Sequence, residues 1–172
     1  MAIISDTKDW TWVLERTCPD CGFNAATATP ATAATLLPAL LPRWQGALRR
    51  PTAEERPNPE TWSVVEYSAH VRDVFEVFTE RLELMVREDN PTFANWDQDQ
   101  AALDGNYSAL DPEVVSRELV QNGLDAAAAF AAVTVEQWGR RGFRSNGSTF
   151  TVLTLAGYFL HDVVHHLHDI NA

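Results

Sequence analysis

Five histidines occur in the 172-residue chain, and four fall within eight positions: His161-Asp162-Val163-Val164-His165-His166-Leu167-His168. On a helix turning about 100° per residue, His161, His165 and His168 share a face while His166 points well away. An i, i+4 pair such as His161 and His165 sets two imidazoles one above the other, a spacing suited to sharing one metal ion. His161 and His168 are two turns apart, roughly 10 Å along the axis, too far to hold the same ion, so a third ligand must come from another element. His70, the remaining histidine, lies beside the apolar stripe of Tyr67, Val71, Val74, Phe78 and Met85, where it looks across a bundle core. His70, His161 and His165 would present three neutral nitrogens and leave a fourth position open, the catalytic rather than the structural pattern of zinc. Imidazole equally suits nickel, copper or iron. The bland alternative is a histidine-rich helix end favoured by the helix dipole without any metal.

Further residues stand near this set. Glu66, one turn before His70, and Asp73, three residues after it, are candidate acceptors that would orient the imidazole; Glu66 also fits a helix cap, the stronger of its two roles. Tyr67 and Tyr158 share helical faces with the proposed ligands and are pocket candidates, although core packing is the commoner fate of such aromatics. Arg144 offers a planar fork to an anionic substrate, against the simpler reading of a solvated loop residue. Asp162 and Asp169 are expected to be solvated. Cys18-Pro19-Asp20-Cys21 is a CxxC that could be a redox pair, half a zinc site or a loop-shaping pair. No second CxxC exists to complete a zinc ribbon, and the loop-shaping role is the expectation.

The elements that must carry these residues are helical. The first helix spans about Ala31 to Arg49, with Pro38 and Pro42 inside it predicting a kink or a later start. The second opens on the capping box Ser63-Val64-Val65-Glu66, with Trp62 before the cap, and runs to about Glu88. The third starts at Asp111-Pro112-Glu113 and is expected to reach about Trp138. The fourth runs from Thr151 to about Asp169. Trp44, Trp62 and Trp96 are expected to pin helix ends. Residues 1–30 read as an N-terminal extension to a domain spanning 31–172. Within it, residues 9–14 suggest a helical turn and residues 25–30 a linker. Residues 139–150 suggest a loop or short hairpin around Asn146-Gly147. The connection between the second and third helices exceeds twenty residues, enough to retrace a helix and make the two parallel.

Composition bounds the function. With 24 acidic against 13 basic residues, a net charge of −11 and a pI near 4.7, the surface repels phosphate backbones and anionic membranes. No apolar run approaches the ~18 residues that span a bilayer. Met1 to Asp6 lacks the basic and apolar regions of a secretory signal, and two cysteines are too few for a disulfide scaffold. A cytoplasmic protein acting on a small molecule, without nucleic acid or membrane partners, is the expectation.

The segments Trp62-Ser63-Val64-Val65-Glu66-Tyr67-Ser68-Ala69-His70-Val71-Arg72-Asp73 and Thr151 to His166 resemble the helix-two and helix-four motifs of the DinB superfamily, and Asn95-Trp96-Asp97 is similar to its crossover segment. The resemblance covers about Ala31 to Ala172 and leaves Cys18 and Cys21 outside it. It implies an all-α four-helix bundle of up-down-down-up topology with a long crossover between helices two and three. It also implies a divalent metal, zinc or nickel, on His70, His161 and His165, and often a homodimer. The activities it implies are thiol-dependent transfer or isomerisation with a low-molecular-weight thiol such as mycothiol or bacillithiol. Metal-assisted hydrolysis and a non-catalytic ligand-binding bundle are the alternatives.

Overall fold

The structure, a computed structural model, describes residues 9–172; the N-terminal reading of Met1 to Asp6 lies outside the described residues. Four long helices form the bundle: α1 (Pro30–Leu48), α2 (Val64–Arg87), α4 (Pro112–Ala131) and α5 (Val152–Asp169), with a short α3 (Gln98–Asp104) in the crossover. Each start is chemically specified. Thr29, Ser63 and Thr151 close capping boxes with Thr32, Glu66 and Thr154, and Asp111 accepts from the amides of Glu113 and Val114, satisfying donors that a helix start otherwise leaves orphaned.

Cross-helix pairs fix the directions. Arg72 meets Glu118, and Glu76 meets Asn122, so α2 and α4 run parallel. Tyr67 lies against His166 and Phe78 against Tyr158, so α2 and α5 run antiparallel. The C-terminal ends of α1 and α5 meet where Arg50 Nη1 donates to the Ile170 carbonyl at 2.6 Å. The result is the up-down-down-up order, and the crossover of residues 88–111 makes it possible. The core interdigitates apolar positions at helical spacing from all four rods, with Phe78, Phe130 and Phe159 stacked at centroid distances of 5.1 and 5.3 Å.

Two helices differ from expectation. Despite Pro38 and Pro42, α1 is one helix from Pro30 to Leu48; its prolines lie four apart and neither is buried, so the backbone groups they leave unpaired face outward. The helix expected to reach Trp138 stops at Ala131. Thr134 starts a separate 3-10 turn (Val135–Gln137), its amide donating to the Gln137 side chain at 3.0 Å, an alternative satisfaction of the backbone that competes with helix continuation.

A small sheet closes one end of the bundle. The hairpin at Asn146-Gly147 joins β2 (Arg141–Arg144) to β3 (Thr149–Thr151), and β1 (Thr92–Phe93) pairs parallel with β2. This pins the crossover directly before Trp96. Residues 9–29 pack onto α5 through 3-10 turns at Trp10–Leu14 and Ala25–Thr27, burying Val13, Cys18, Ala25 and Ala28. Residues 25–30, expected as a linker, thus contribute buried alanines. Among the described residues no helix is long and apolar enough to cross a membrane.

Candidate metal centre

His70 is buried near the N-terminal end of α2, its ring stacked on Trp96 at 5.4 Å and 15°, with Trp62 tilted against it at the same distance. Trp62 is held by the capping turn and Trp96 by the β1-anchored crossover, so two aromatic planes lock the imidazole. The three imidazoles singled out from spacing do not form one ligand group. The potential ligand atoms of His70 lie within 4.8 Å of those of Asp162 and His166, whereas His161 and His165 group in the same way with Cys18 and Cys21.

Helix phase is the reason. Residues 162 and 166 form a second i, i+4 stripe on α5, rotated by one residue, about 100°, from the stripe of 161 and 165. The 162/166 stripe faces α2, and the 161/165 stripe faces the N-terminal segment. Thus His166, expected to point away, turns edge-on to His70 at 4.8 Å. Asp162, expected to be solvated, buries Oδ2 3.6 Å from His70 Nε2.

The electrostatics of the first group match a cation. Both ring nitrogens of His70 and Oδ2 of Asp162 are buried with no hydrogen-bond partner among the described residues, an arrangement that costs free energy unless a ligand completes it. Burial pushes His70 below its ordinary pKa, against the pull of the Asp162 carboxylate. Burial opposes the charge on Asp162, yet His166 and His70 outweigh it and hold the carboxyl at about 2. A neutral imidazole beside an ionised carboxylate is the protonation state that divalent metals require. His166 Nδ1 donates to Asp169 Oδ2 at 2.8 Å, and its Nε2 lies 3.6 Å from Asp162 Oδ1. Asp169, like Asp162, therefore has a partner rather than water alone, and spacing from His166 at i, i+3 was the signal available for it.

In the second group, Cys18 Sγ lies 3.6 Å from His165 Nδ1. His161 Nε2 is buried without a partner, and burial followed by the neighbouring His165 pushes His161 down to about 4. Trp10 packs against both rings at 5.7 and 5.1 Å.

A cavity of about 260 Å³ adjoins both groups, lined by Trp10, Trp62, Tyr67, Tyr158, Glu60 and Asp99 together with His161, Asp162, His165, His166 and Asp169. Its size is near the lower end of small-molecule sites, which begin at about 300 Å³. Tyr67 and Tyr158 line it as well as packing. Burial pushes the Tyr67 hydroxyl up to about 12 and raises that of Tyr158, so both remain donors at neutral pH.

The other sequence candidates are engaged elsewhere. Glu66 accepts the Ser63 amide at 2.8 Å and takes both nitrogens of an Arg56 fork, so capping is its structural role. Asp73 accepts from Arg72 Nε at 2.7 Å and from the Tyr107 hydroxyl, and no hydrogen bond joins it to His70. Arg144 braces the hairpin through Asn146 and Ser148, lies over the rings of Phe150 and Tyr158, and is outside the cavity lining.

Comparison with known proteins agrees with this architecture. YfiT from Bacillus subtilis, described as a probable metal-dependent hydrolase with an unusual four-helix bundle topology, superposes with a TM-score of 0.75 at 16% identity, covering 83% of each chain. At that identity the likeness shows the fold. No curated protein matches the chain significantly. The model of the DinB superfamily matches residues 37–170, a span that runs from within α1 to the end of α5 and includes His70, Asp162 and His166, and the chain belongs to that superfamily.

Proposed function

We propose that this chain is a metal-dependent enzyme in which His70, Asp162 and His166 hold a divalent cation, zinc or nickel, on the wall of the Trp10–Tyr158 cavity. The observation that carries this reading is the convergence of ligand atoms of His70, Asp162 and His166 within 4.8 Å of one another beside a small cavity, with both His70 nitrogens and Asp162 Oδ2 buried outside any hydrogen bond among the described residues. Two imidazoles and one carboxylate satisfy three positions and leave others open, as catalytic sites require. When bound, the cation lowers the pKa of a thiol or water in its open position towards neutrality.

The chain's own residues do the rest. Asp169 fixes the tautomer and orientation of His166, and Trp62 and Trp96 fix the plane of His70. Such outer contacts keep ligand geometry while substrate exchanges. Tyr67 and Tyr158 offer hydroxyl donors to a substrate oxygen. Trp10 and Trp62 offer flat apolar faces, and Glu60 and Asp99 offer acceptors. Aromatic faces with carboxylate acceptors suit a hydroxyl-rich thiol without net negative charge, which favours a mycothiol-type cofactor over an anionic one. Thiol-dependent transfer or isomerisation is therefore the leading reaction class. Hydrolysis by activated water is the second reading, favoured by the likeness to YfiT, whose own description is that of a hydrolase.

The test uses the full-length protein loaded with zinc or nickel. We expect His70→Ala, Asp162→Ala and His166→Ala each to lose one metal equivalent by elemental analysis, together with all turnover. Disappearance of a low-molecular-weight thiol in the presence of an electrophile supports the transferase, and thiol-independent ester or amide cleavage supports the hydrolase. Unchanged metal content in all three variants overturns the assignment, and a full metal complement with neither activity overturns catalysis.

A further inference from the structure

The N-terminal segment brings a second set of soft ligands to α5, distinct from the His70 group and outside the span that matches the family. Cys18 is fully buried and Cys21 half-buried, both with free thiols. Their loop is a tight knuckle. The Cys18 amide donates to the Phe23 carbonyl at 3.0 Å, and the Gly22 amide donates to the Cys18 carbonyl at 2.9 Å. Gly22 closes the turn at φ +73°, where a side chain would be strained. The knuckle presents both sulfurs to one face, opposite the i, i+4 pair His161 and His165. One ligand atom from each of the four residues lies within 4.8 Å of the others.

We propose that Cys18, Cys21, His161 and His165 form a closed structural zinc site that clamps the N-terminal segment to α5. Bond lengths of about 2.3 Å to sulfur and about 2.0 Å to nitrogen put the edges of a zinc tetrahedron at roughly 3.3–3.8 Å. The Cys18 Sγ to His165 Nδ1 separation of 3.6 Å falls in that range. The buried, unpartnered Nε2 of His161 is an independent sign of a missing ligand. Charge also balances: binding releases two thiol protons to solvent, and two thiolates neutralise the dication, which suits a buried site. The ligand set is complete at four, with no position for substrate. This contrasts with the two imidazoles and one carboxylate of the proposed catalytic set.

The clamp has a functional consequence. It fixes the segment that carries Trp10, and Trp10 covers both imidazoles and forms one wall of the cavity. Alternating residues of one helical stretch would then serve two ions, 161 and 165 the structural one, 162 and 166 the other. Asp169 touches both sets, through His166 Nδ1 at 2.8 Å and His165 Nε2 at 3.7 Å.

The test begins with unmodified full-length protein reconstituted with zinc. We expect two zinc equivalents, and X-ray absorption showing sulfur scatterers at about 2.3 Å, averaging one per zinc. Both cysteines should resist alkylation until a strong chelator is added. Cys18→Ser and Cys21→Ser should each lose one equivalent and the sulfur shell while retaining the metal lost in His70→Ala. In turn, His70→Ala should keep its sulfur-bound zinc, so failure of the catalytic assignment is distinguishable from failure of the clamp. A zinc shell without sulfur in the wild-type protein, immediate alkylation of both thiols in the zinc-loaded state, or a Cys18–Cys21 disulfide in protein purified under reducing conditions overturns the proposal.

Discussion

Replacing Gly157 with alanine tests whether the N-terminal segment is packed on α5 as tightly as the cavity wall requires. A Cβ built at Gly157 would sit 2.4 Å from the Ala25 carbonyl oxygen and 3.2 Å from its carbon, about 1 Å inside ordinary contact. The obstruction is backbone in a 3-10 turn, so it cannot rotate away as a side-chain tip can. Glycine to alanine in a helix interior gains about 1 kcal/mol, whereas overpacking costs about 1–3 kcal/mol. A clash with backbone of this depth belongs at the upper end, so Gly157→Ala should lose about 1–2 kcal/mol net. Gly46 in α1 supplies the control, because a Cβ there meets nothing within 4 Å. Gly46→Ala should keep the full helix gain of about 1 kcal/mol. At about 2–4 °C per kcal/mol for a chain of this size, thermal unfolding should show Gly46→Ala raised by about 2–4 °C and Gly157→Ala lowered by about 2–8 °C. Limited proteolysis should cut Gly157→Ala within residues 9–29 first. Equal stabilisation of the two variants would refute the packing, since it would mean that Ala25 does not occupy the space beside Gly157.

Three further outcomes follow from individual side chains. Burial opposes the charge of Glu66, but the Arg56 guanidinium and the Ser63 amide outweigh it and hold the carboxyl below its ordinary value. Its contribution is therefore present above the unfolded pKa of about 4.3 and lost as pH falls through the lower folded value. Glu66→Gln should cost about 1–2 kcal/mol at pH 7, and that difference should vanish in urea unfolding near pH 3. Asp169→Ala removes the acceptor of His166 Nδ1 and should weaken zinc at the His70 set about 10–100-fold, read by chelator competition in a Cys18→Ser background. Tyr107→Phe withdraws a buried donor from Asp73 and should cost about 1–2 kcal/mol without altering metal content.

The four rods and the chemistry that starts them are legible in local sequence. Ser63 with Glu66, Asp111 with Pro112 and Thr151 at the head of an apolar run are local signals whose partners lie within four residues, so no tertiary context was needed to read them. The long connection after α2 likewise sufficed to allow parallel helices. The end of α4 was less legible, because Thr134 offers its own local turn and nothing before it forbids continuation. The composition of the candidate site was also present in outline: His70 on one rod and a cluster on the last.

Which of the clustered residues meet His70 was decided only by the fold. The stretch 161–166 contains two ligand pairs at the same i, i+4 spacing, offset by one residue, and spacing alone ranks the all-imidazole pair 161/165 above 162/166. The choice depends on the rotation of α5 about its own axis, which is set by the burial of Leu155, Phe159, Leu160, Val163 and Leu167 against the other three rods. That rotation turns Asp162 and His166 towards α2 and leaves His161 and His165 for two cysteines about 140 residues earlier. No local rule links Cys18 to His165, because their proximity follows from where the N-terminal segment is laid along the helix.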